Sequence, residues 1–189
     1  MIPANHAQLA ASTWVKRWGH LVAPKGKVLD IACGNGRHMQ WFAQQGHPVL
    51  GIDRSAEALT TAANWGQTVL ADIENAPWPL VAGGHAQLFD AVVVTNYLWR
   101  ALFPVLAQSL APGGILIYET FSQGNETVGK PSRADFLLRQ SELLSAFPDL
   151  EVLAFEQGFL EQPERFVQRL VAVRPNPALT DAAPVRYRL

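Results

Sequence analysis

The sequence predicts an α/β sandwich built on a mostly parallel sheet, and three observations carry that prediction. Short runs of branched apolar residues alternate with helix-like segments five times before two strand-like runs close the chain. Residues 88–96, LFDAVVVTN, form its most continuous β-branched run, which needs burial on both faces and so belongs in the middle of a sheet. Of 189 residues, 49% are hydrophobic and only 16% charged, a balance that supports one packed core rather than a disordered chain.

Residues 6–20 place Leu9, Thr13, Trp14, Val15 and Trp18 at helical spacing, and Pro24 and Gly26 end that helix. KVLDIA, 27–32, reads as a buried strand, followed by a helix over 37–46 with Met39, Trp41 and Phe42 near one face and Gly46 as its stop. HPVLGID, 47–53, is a second strand. Ser55 caps the next helix, which is alanine-rich and ends at Gly66. QTVLADI, 67–73, is a third strand, and Pro77, Pro79 and the Gly83-Gly84 pair punctuate a loop over 74–87.

After the 88–96 strand a helix is expected from 97 to 110, stopped by Pro112-Gly113-Gly114, and ILIYETF, 115–121, is the fifth strand. The polar stretch 122–134 is long enough to be a functional loop. A helix over 135–147 and strands over 150–157 and 165–173 follow. Residues 1–174 form one expected domain, with 1–24 as an N-terminal helical cover, and 175–189, with Pro175, Pro177 and Pro184, are expected to be a loose tail.

Fifteen basic residues against sixteen acidic ones give a net charge of -1, which argues against a phosphate-gripping surface for nucleic acid. The N-terminus has no signal-peptide pattern and no apolar run spans a bilayer, so a cytoplasmic protein without membrane contact is expected. The single cysteine, Cys33, has no internal disulfide partner and reads as a small packing residue. Five histidines show no metal-binding spacing, and no metal is expected.

In open parallel sheets ligands bind beyond the carboxyl ends of the strands. Four of those ends carry Asp30, Asp53, Asp72 and Asn96, which outline one crevice. The turn Cys33-Gly34-Asn35-Gly36 lets the backbone approach a ligand closely. Asp53, seventeen residues beyond Gly36, can accept ribose hydroxyls, a geometry that serves a dinucleotide and an adenosyl group equally. A dinucleotide fingerprint has a third glycine where this chain has Met39. Asp30, four residues before Gly34, would repel a pyrophosphate and favour a cofactor ending in an ammonium or sulfonium.

VLDIACGNGRH, 28–38, resembles the first motif of the class I S-adenosylmethionine-dependent methyltransferases. The resemblance covers roughly 25–174 and continues in GIDRS, ADIE, FDAVVVTN and LAPGGILIYETF, with the CGNGRH spelling closest to the small tellurite-resistance and thiopurine branch. It implies a three-layer Rossmann-like sandwich of seven strands with the last antiparallel, and S-adenosyl-L-methionine as cofactor. It also implies that the Gly34-Gly36 turn, with Ala32 and Cys33, passes the methionine part, that Asp53 and Arg54 meet the ribose, that Asp72 and Ile73 contact adenine, and that Thr95 and Asn96 line the amino group. Ala32 stands where that family more often has glycine.

Asn96, Tyr97, Glu119 and His38 are the candidate catalytic groups, and Trp14, Arg100, Phe121, Glu126, Arg133 and Arg169 the candidate substrate contacts. Asn96-Tyr97 lacks the Pro-Pro of the amino-methylating NPPY pattern. A small-molecule acceptor is favoured over nucleic acid; the oligomeric state and the acceptor atom stay open. Two other readings stand beside this one: an NAD(P)-dependent oxidoreductase, and a non-catalytic module that binds the same cofactor.

Overall fold

The computed structural model describes residues 10–179 and 185–189. Its main sheet has seven strands. In chain order they are β1 (Val28–Ile31), β2 (Val49–Asp53), β3 (Gln67–Leu70), β6 (Phe89–Thr95), β7 (Leu110–Phe121), β8 (Glu151–Glu161) and β9 (Glu164–Val173). A small antiparallel pair, β4 (Val81–Ala82) and β5 (His85–Ala86), lies within the stretch expected to be a plain loop, and Gly83 and Gly84 supply its positive-φ turn.

The order across the sheet is β3-β2-β1-β6-β7-β9-β8. All pairings through β7 are parallel, and β9 alone runs against both of its neighbours. The expected sandwich with an antiparallel last strand is therefore the fold, and the apolar run 89–95 lies at its centre with a nearly unbroken buried pattern.

Side chains alternate between two layers. On one face Val28, Val93, Ile117 and Val171 pack under α1 (Thr13–Trp18), α2 (Arg37–Gln44) and α3 (Ala56–Ala62), through Trp14, Trp18, Phe42 and Leu59. On the other, Leu29, Val92, Leu116 and Leu170 pack under α4 (Phe103–Gln108) and α5 (Glu142–Ala146), through Phe103, Leu106, Leu143 and Phe147.

Three helices differ from expectation. The first is a short α1 capped by Ser12, whose hydroxyl accepts the Trp14 amide, and it runs into a 3-10 turn at Gly19–Leu21; residues 6–9 of the predicted helix lie outside the described residues. The helix expected from 97 is a 3-10 turn at Arg100–Leu102 followed by α4, because Pro104 lacks an amide and is tolerated only in a first turn. The helix expected over 135–147 is reduced to α5, since Leu138 bridges to Ser122 as extended chain.

Of the last fifteen residues, 180–184 lie outside the described residues. Tyr187 packs against the core layer under α1, and a His20 ring nitrogen lies 3.0 Å from the Arg188 carbonyl. No helix among the described residues is long and apolar enough to cross a membrane.

The β8–β9 hairpin outruns the sheet. Its pairing continues to Glu161↔Glu164, whereas β7 ends opposite Val167. Residues 158–166 therefore project past the carboxyl edge where the crevice lies, anchored there by Asn125, which accepts the Phe166 amide and donates to the Pro131 carbonyl.

Candidate active site

The glycine turn joins β1 to α2 with specialised conformations at three alternate residues. Ala32, Gly34 and Gly36 all have positive φ, at 51°, 53° and 78°. A Cβ on Gly34 would meet nothing within 4 Å, so the missing side chain opens onto free space at the strand ends. Gly36 is different, since a Cβ there would lie 2.9 Å from Ala62 Cα and Cβ, and its role is the close approach of α2 to α3. Cys33 is buried with its sulfur toward Gly51 and the Gly34 carbonyl; burial, then the negative charges of Asp30 and Asp53, push its thiol far above the usual range. It is a packing residue.

Asp53 ends β2 and locks the turn. Its Oδ2 accepts the Gly34 amide at 2.8 Å and its Oδ1 the Ser55 amide at 2.9 Å, leaving further lone pairs on both oxygens. Asp72 is fixed likewise by the amides of Glu74 and Asn75 and the Asn75 side chain, and these hydrogen bonds hold its carboxyl below the ordinary range.

A cleft of about 310 Å³ runs along these strand ends. One end is walled by Asp53, Arg54, Asp72 and Ile73; Ala32, Asn96 and Tyr97 line the middle; Thr120, Phe121, Pro131 and Phe136 close the other end. That volume falls at the lower end of small-molecule sites.

Asp30 stands elsewhere. Residues alternate sides along β1, and its carboxyl lies in the layer under α2, buried, with neither oxygen hydrogen-bonded within 3.5 Å. Burial pushes it up to about 8 against the opposing influence of the Arg37 charge and the Met39 amide. His38 Nδ1 lies 3.9 Å away, but burial and the Arg37 cation take that imidazole down to about 3. Near neutrality both groups are uncharged and the contact is not an ion pair.

The same layer holds a polar row across the strands: Thr95 opposite Glu119, Glu119 opposite Arg169, and Arg169 opposite Glu156. Glu119 is fully buried. Its oxygens take Arg169 at 2.5 Å, the Ser12 hydroxyl at 3.0 Å and Arg165 at 3.4 Å. Ser12 also donates its amide to His38 Nε2 at 3.2 Å, which fixes the neutral ring's proton on Nδ1.

The expected catalytic groups therefore separate. Asn96, with φ 54°, and Tyr97 stand on the cleft wall. Tyr97 is a poor proton carrier near neutrality, because burial and then the Glu74 charge raise its phenol. Glu119 and His38 are not free bases: the carboxylate is committed to two arginines and a hydroxyl, and the buried imidazole has its Nε2 lone pair occupied.

Of the expected substrate contacts, Phe121 alone lines the cleft. Trp14 is a core ring against Trp18, with the Arg169 guanidinium 5.6 Å from its centroid. Arg100 ties α5 to the preceding loop through Glu142 at 2.6 Å and the carbonyls of Asp135 and Leu137. Glu126 accepts the Gly124 amide in a local turn, and Arg133 pairs with Asp135 on the surface. Sequence reasoning passed over Arg37 and Arg165. Arg165 stands four residues before Arg169 in one strand, hence on the same face, and that spacing was the available signal.

The family profile of a methyltransferase domain fits residues 28–114. The chain is 30% identical over 112 residues to a ubiquinone biosynthesis O-methyltransferase of Azoarcus sp., covering 56% of this chain and 48% of that protein. It is 42% identical over 55 residues to a thiopurine S-methyltransferase of Bordetella petrii, covering 29% of this chain and 25% of the relative. The chain spans about half the length, or less, of these curated relatives. TehB from Haemophilus influenzae shares the fold with a TM-score of 0.69 over 85% of this chain and 61% of that one, at 19% identity.

Proposed function

We propose that the chain is a class I S-adenosylmethionine-dependent methyltransferase, a reading supported by the methyltransferase-domain profile on residues 28–114, and that it transfers a methyl group to a small-molecule acceptor by in-line displacement. The observation that carries this reading is one continuous cleft with the fixed Asp53 and Asp72 at one end and an aromatic wall of Phe121 and Phe136 at the other.

The residues present fit S-adenosyl-L-methionine. Asp53 has spare lone pairs for two ribose hydroxyls, Asp72 and Ile73 wall the adenine position, and open space beyond Gly34 admits the methionine part. The Thr95–Asn96 backbone borders its amino group. Bound there, the cofactor supplies an electrophilic methyl group on a cationic sulfur.

The chain's own contribution is placement. Its candidate bases are engaged, buried or poorly matched to neutral pH, so Asn96, Tyr97 and the aromatic wall act by holding the acceptor in line and excluding water. Such orientation supplies ~7 to 11 kcal/mol in well-aligned reactions. Relatives named for oxygen and sulfur acceptors both match part of this chain, and on this reading the acceptor is selected by the walls beyond Asn96. On this reading residues 1–174 are one catalytic domain, 1–24 its cover, and its setting is cytoplasmic.

Calorimetry with S-adenosylhomocysteine tests the cofactor directly. Wild type is expected to bind it and Asp53→Asn to bind about tenfold or more weakly, since each charge-assisted hydrogen bond contributes roughly 1.5 to 3 kcal/mol. Heat with NADH and none with S-adenosylhomocysteine would sink the proposal.

A further inference from the structure

Two guanidinium groups converge on the end of β6, and among the described residues the one carboxylate within 4.0 Å of either, Glu119 beside Arg165, is already held by Arg169. Arg165 reaches from the projecting hairpin to Asn96 Oδ1 at 3.4 Å, and Asn96 is itself a wall of the cleft. Arg165 Nε is buried and has no hydrogen-bond partner. Its Nη2 is 3.4 Å from Glu119, a carboxylate that Arg169 already holds at 2.5 Å. Arg37 touches the adjacent residue, donating to the Thr95 hydroxyl at 3.4 Å, and among the described residues no carboxylate lies within 4.0 Å of it.

Around this point four guanidinium groups, those of Arg17, Arg37, Arg165 and Arg169, face the two carboxylates of Glu119 and Glu156. Asp30 adds no negative charge near neutrality, since burial holds its proton. Half-buried cations with unused donors are strained electrostatically until an anion joins them, and a planar carboxylate matches the guanidinium fork. Beside them the outer wall of the cleft is mostly apolar, made by Phe121, Pro131 and Phe136 with Thr120.

We infer that Arg165, with Arg37 behind it, receives a carboxylate of the methyl acceptor, which is a small organic acid with an apolar body. The inference deepens the methyl-transfer reading and rests on it. The carboxylate is a handle rather than the reacting atom, so its docking makes and breaks no covalent bond.

Benzoate and its neutral isostere benzamide are the binding probes, titrated calorimetrically into protein saturated with S-adenosylhomocysteine. Benzoate is expected to bind at least about tenfold more tightly than benzamide. Arg165→Gln should erase the preference, and Arg165→Lys should keep part of it, because charge remains without the fork. Cofactor-product affinity should stay within about twofold in both variants, with thermal melts confirming that they fold. Equal binding of the two probes by wild type would overturn the inference. So would a loss of S-adenosylhomocysteine affinity in Arg165→Gln as large as the loss for benzoate, which would assign the guanidinium to the cofactor's own carboxylate.

Labelled methyl transfer into cell-extract small molecules, presorted by anion exchange, supplies the second readout. Label from the acidic fraction supports the inference, and label confined to the neutral or basic fractions overturns it. No label from any fraction, with the benzoate preference intact, refutes methyl transfer while leaving the anion site standing.

Discussion

The Arg169 guanidinium lies 2.5 Å from the carboxylate of Glu119, its direct neighbour on the adjacent antiparallel strand, and that carboxylate is wholly buried. Two charges so placed hold β9 to β7 beneath α1, with Ser12 adding the helix cap to the same oxygen that faces Arg165. Removing one partner leaves the other charge buried, which costs about 3 to 5 kcal/mol. Glu119→Gln and Arg169→Met should each lower the urea midpoint accordingly, while the folded fraction still binds S-adenosylhomocysteine. A Glu119→Gln protein of unchanged midpoint that has lost methyl transfer would return this residue to the chemistry.

Gly34 and Gly36 should respond differently to the same substitution. Both have positive φ, so alanine costs about 1 to 2 kcal/mol of backbone strain at either. At Gly36 the new Cβ also collides with Ala62, and overpacking adds about 1 to 3 kcal/mol. Gly36→Ala is expected to melt well below Gly34→Ala. On the proposed function, Gly34→Ala should fold but bind S-adenosylhomocysteine roughly tenfold or more weakly, its methyl group entering the open space assigned there to the methionine part. Equal melting losses, or full affinity in Gly34→Ala, would contradict this division of labour.

Ala32 holds φ 51°, a conformation that glycine adopts without the steric cost met by a Cβ. Ala32→Gly relieves about 1 to 2 kcal/mol of strain but adds backbone entropy to the unfolded chain worth roughly 0.5 to 1 kcal/mol. The expected net effect is a stabilisation of up to about 1.5 kcal/mol, seen as a higher melting temperature of the ligand-free protein. A lower one would mean that the Ala32 methyl makes contacts worth more than its strain.

Much of this site was legible because its signals are local. Asp53 and Asp72 follow apolar runs by fixed spacing, and Gly34 and Gly36 are required by the sharp passage from strand to helix. Glu119 and Arg169 were visible as charges in apolar strands, but their purpose was not, since it depends on β9 inserting between β7 and β8, a non-local pairing. Arg165 was hidden for the same reason: only the overhang of the hairpin carries it to Asn96. Asp30 misled because a residue near a strand end can face either layer, and here parity turns it away from the cleft.

That placement gives Asp30 a measurable signature in the pH dependence of stability. Folding raises its pKa to about 8 from an unfolded value of about 3.9, so between those limits the folded chain holds a proton that the unfolded chain releases. This contribution falls as pH rises. His38 acts oppositely: folding lowers it to about 3 from about 6.5, so over that window the unfolded chain binds the extra proton and stability rises with pH. From about 4 to 6.5 the two proton differences cancel. Between about 6.5 and 8 only Asp30 titrates differentially, and its contribution should decline by about 1.4 kcal/mol per pH unit, about 2 kcal/mol in all. Asp30→Asn removes that decline and leaves the His38 rise uncompensated below 6.5. The difference in urea midpoint between wild type and Asp30→Asn, measured from pH 5 to 9, should therefore change in wild type's disfavour as pH increases. A difference that stays constant across that range would show that Asp30 is already ionised in the folded protein, and that Arg37 outweighs its burial.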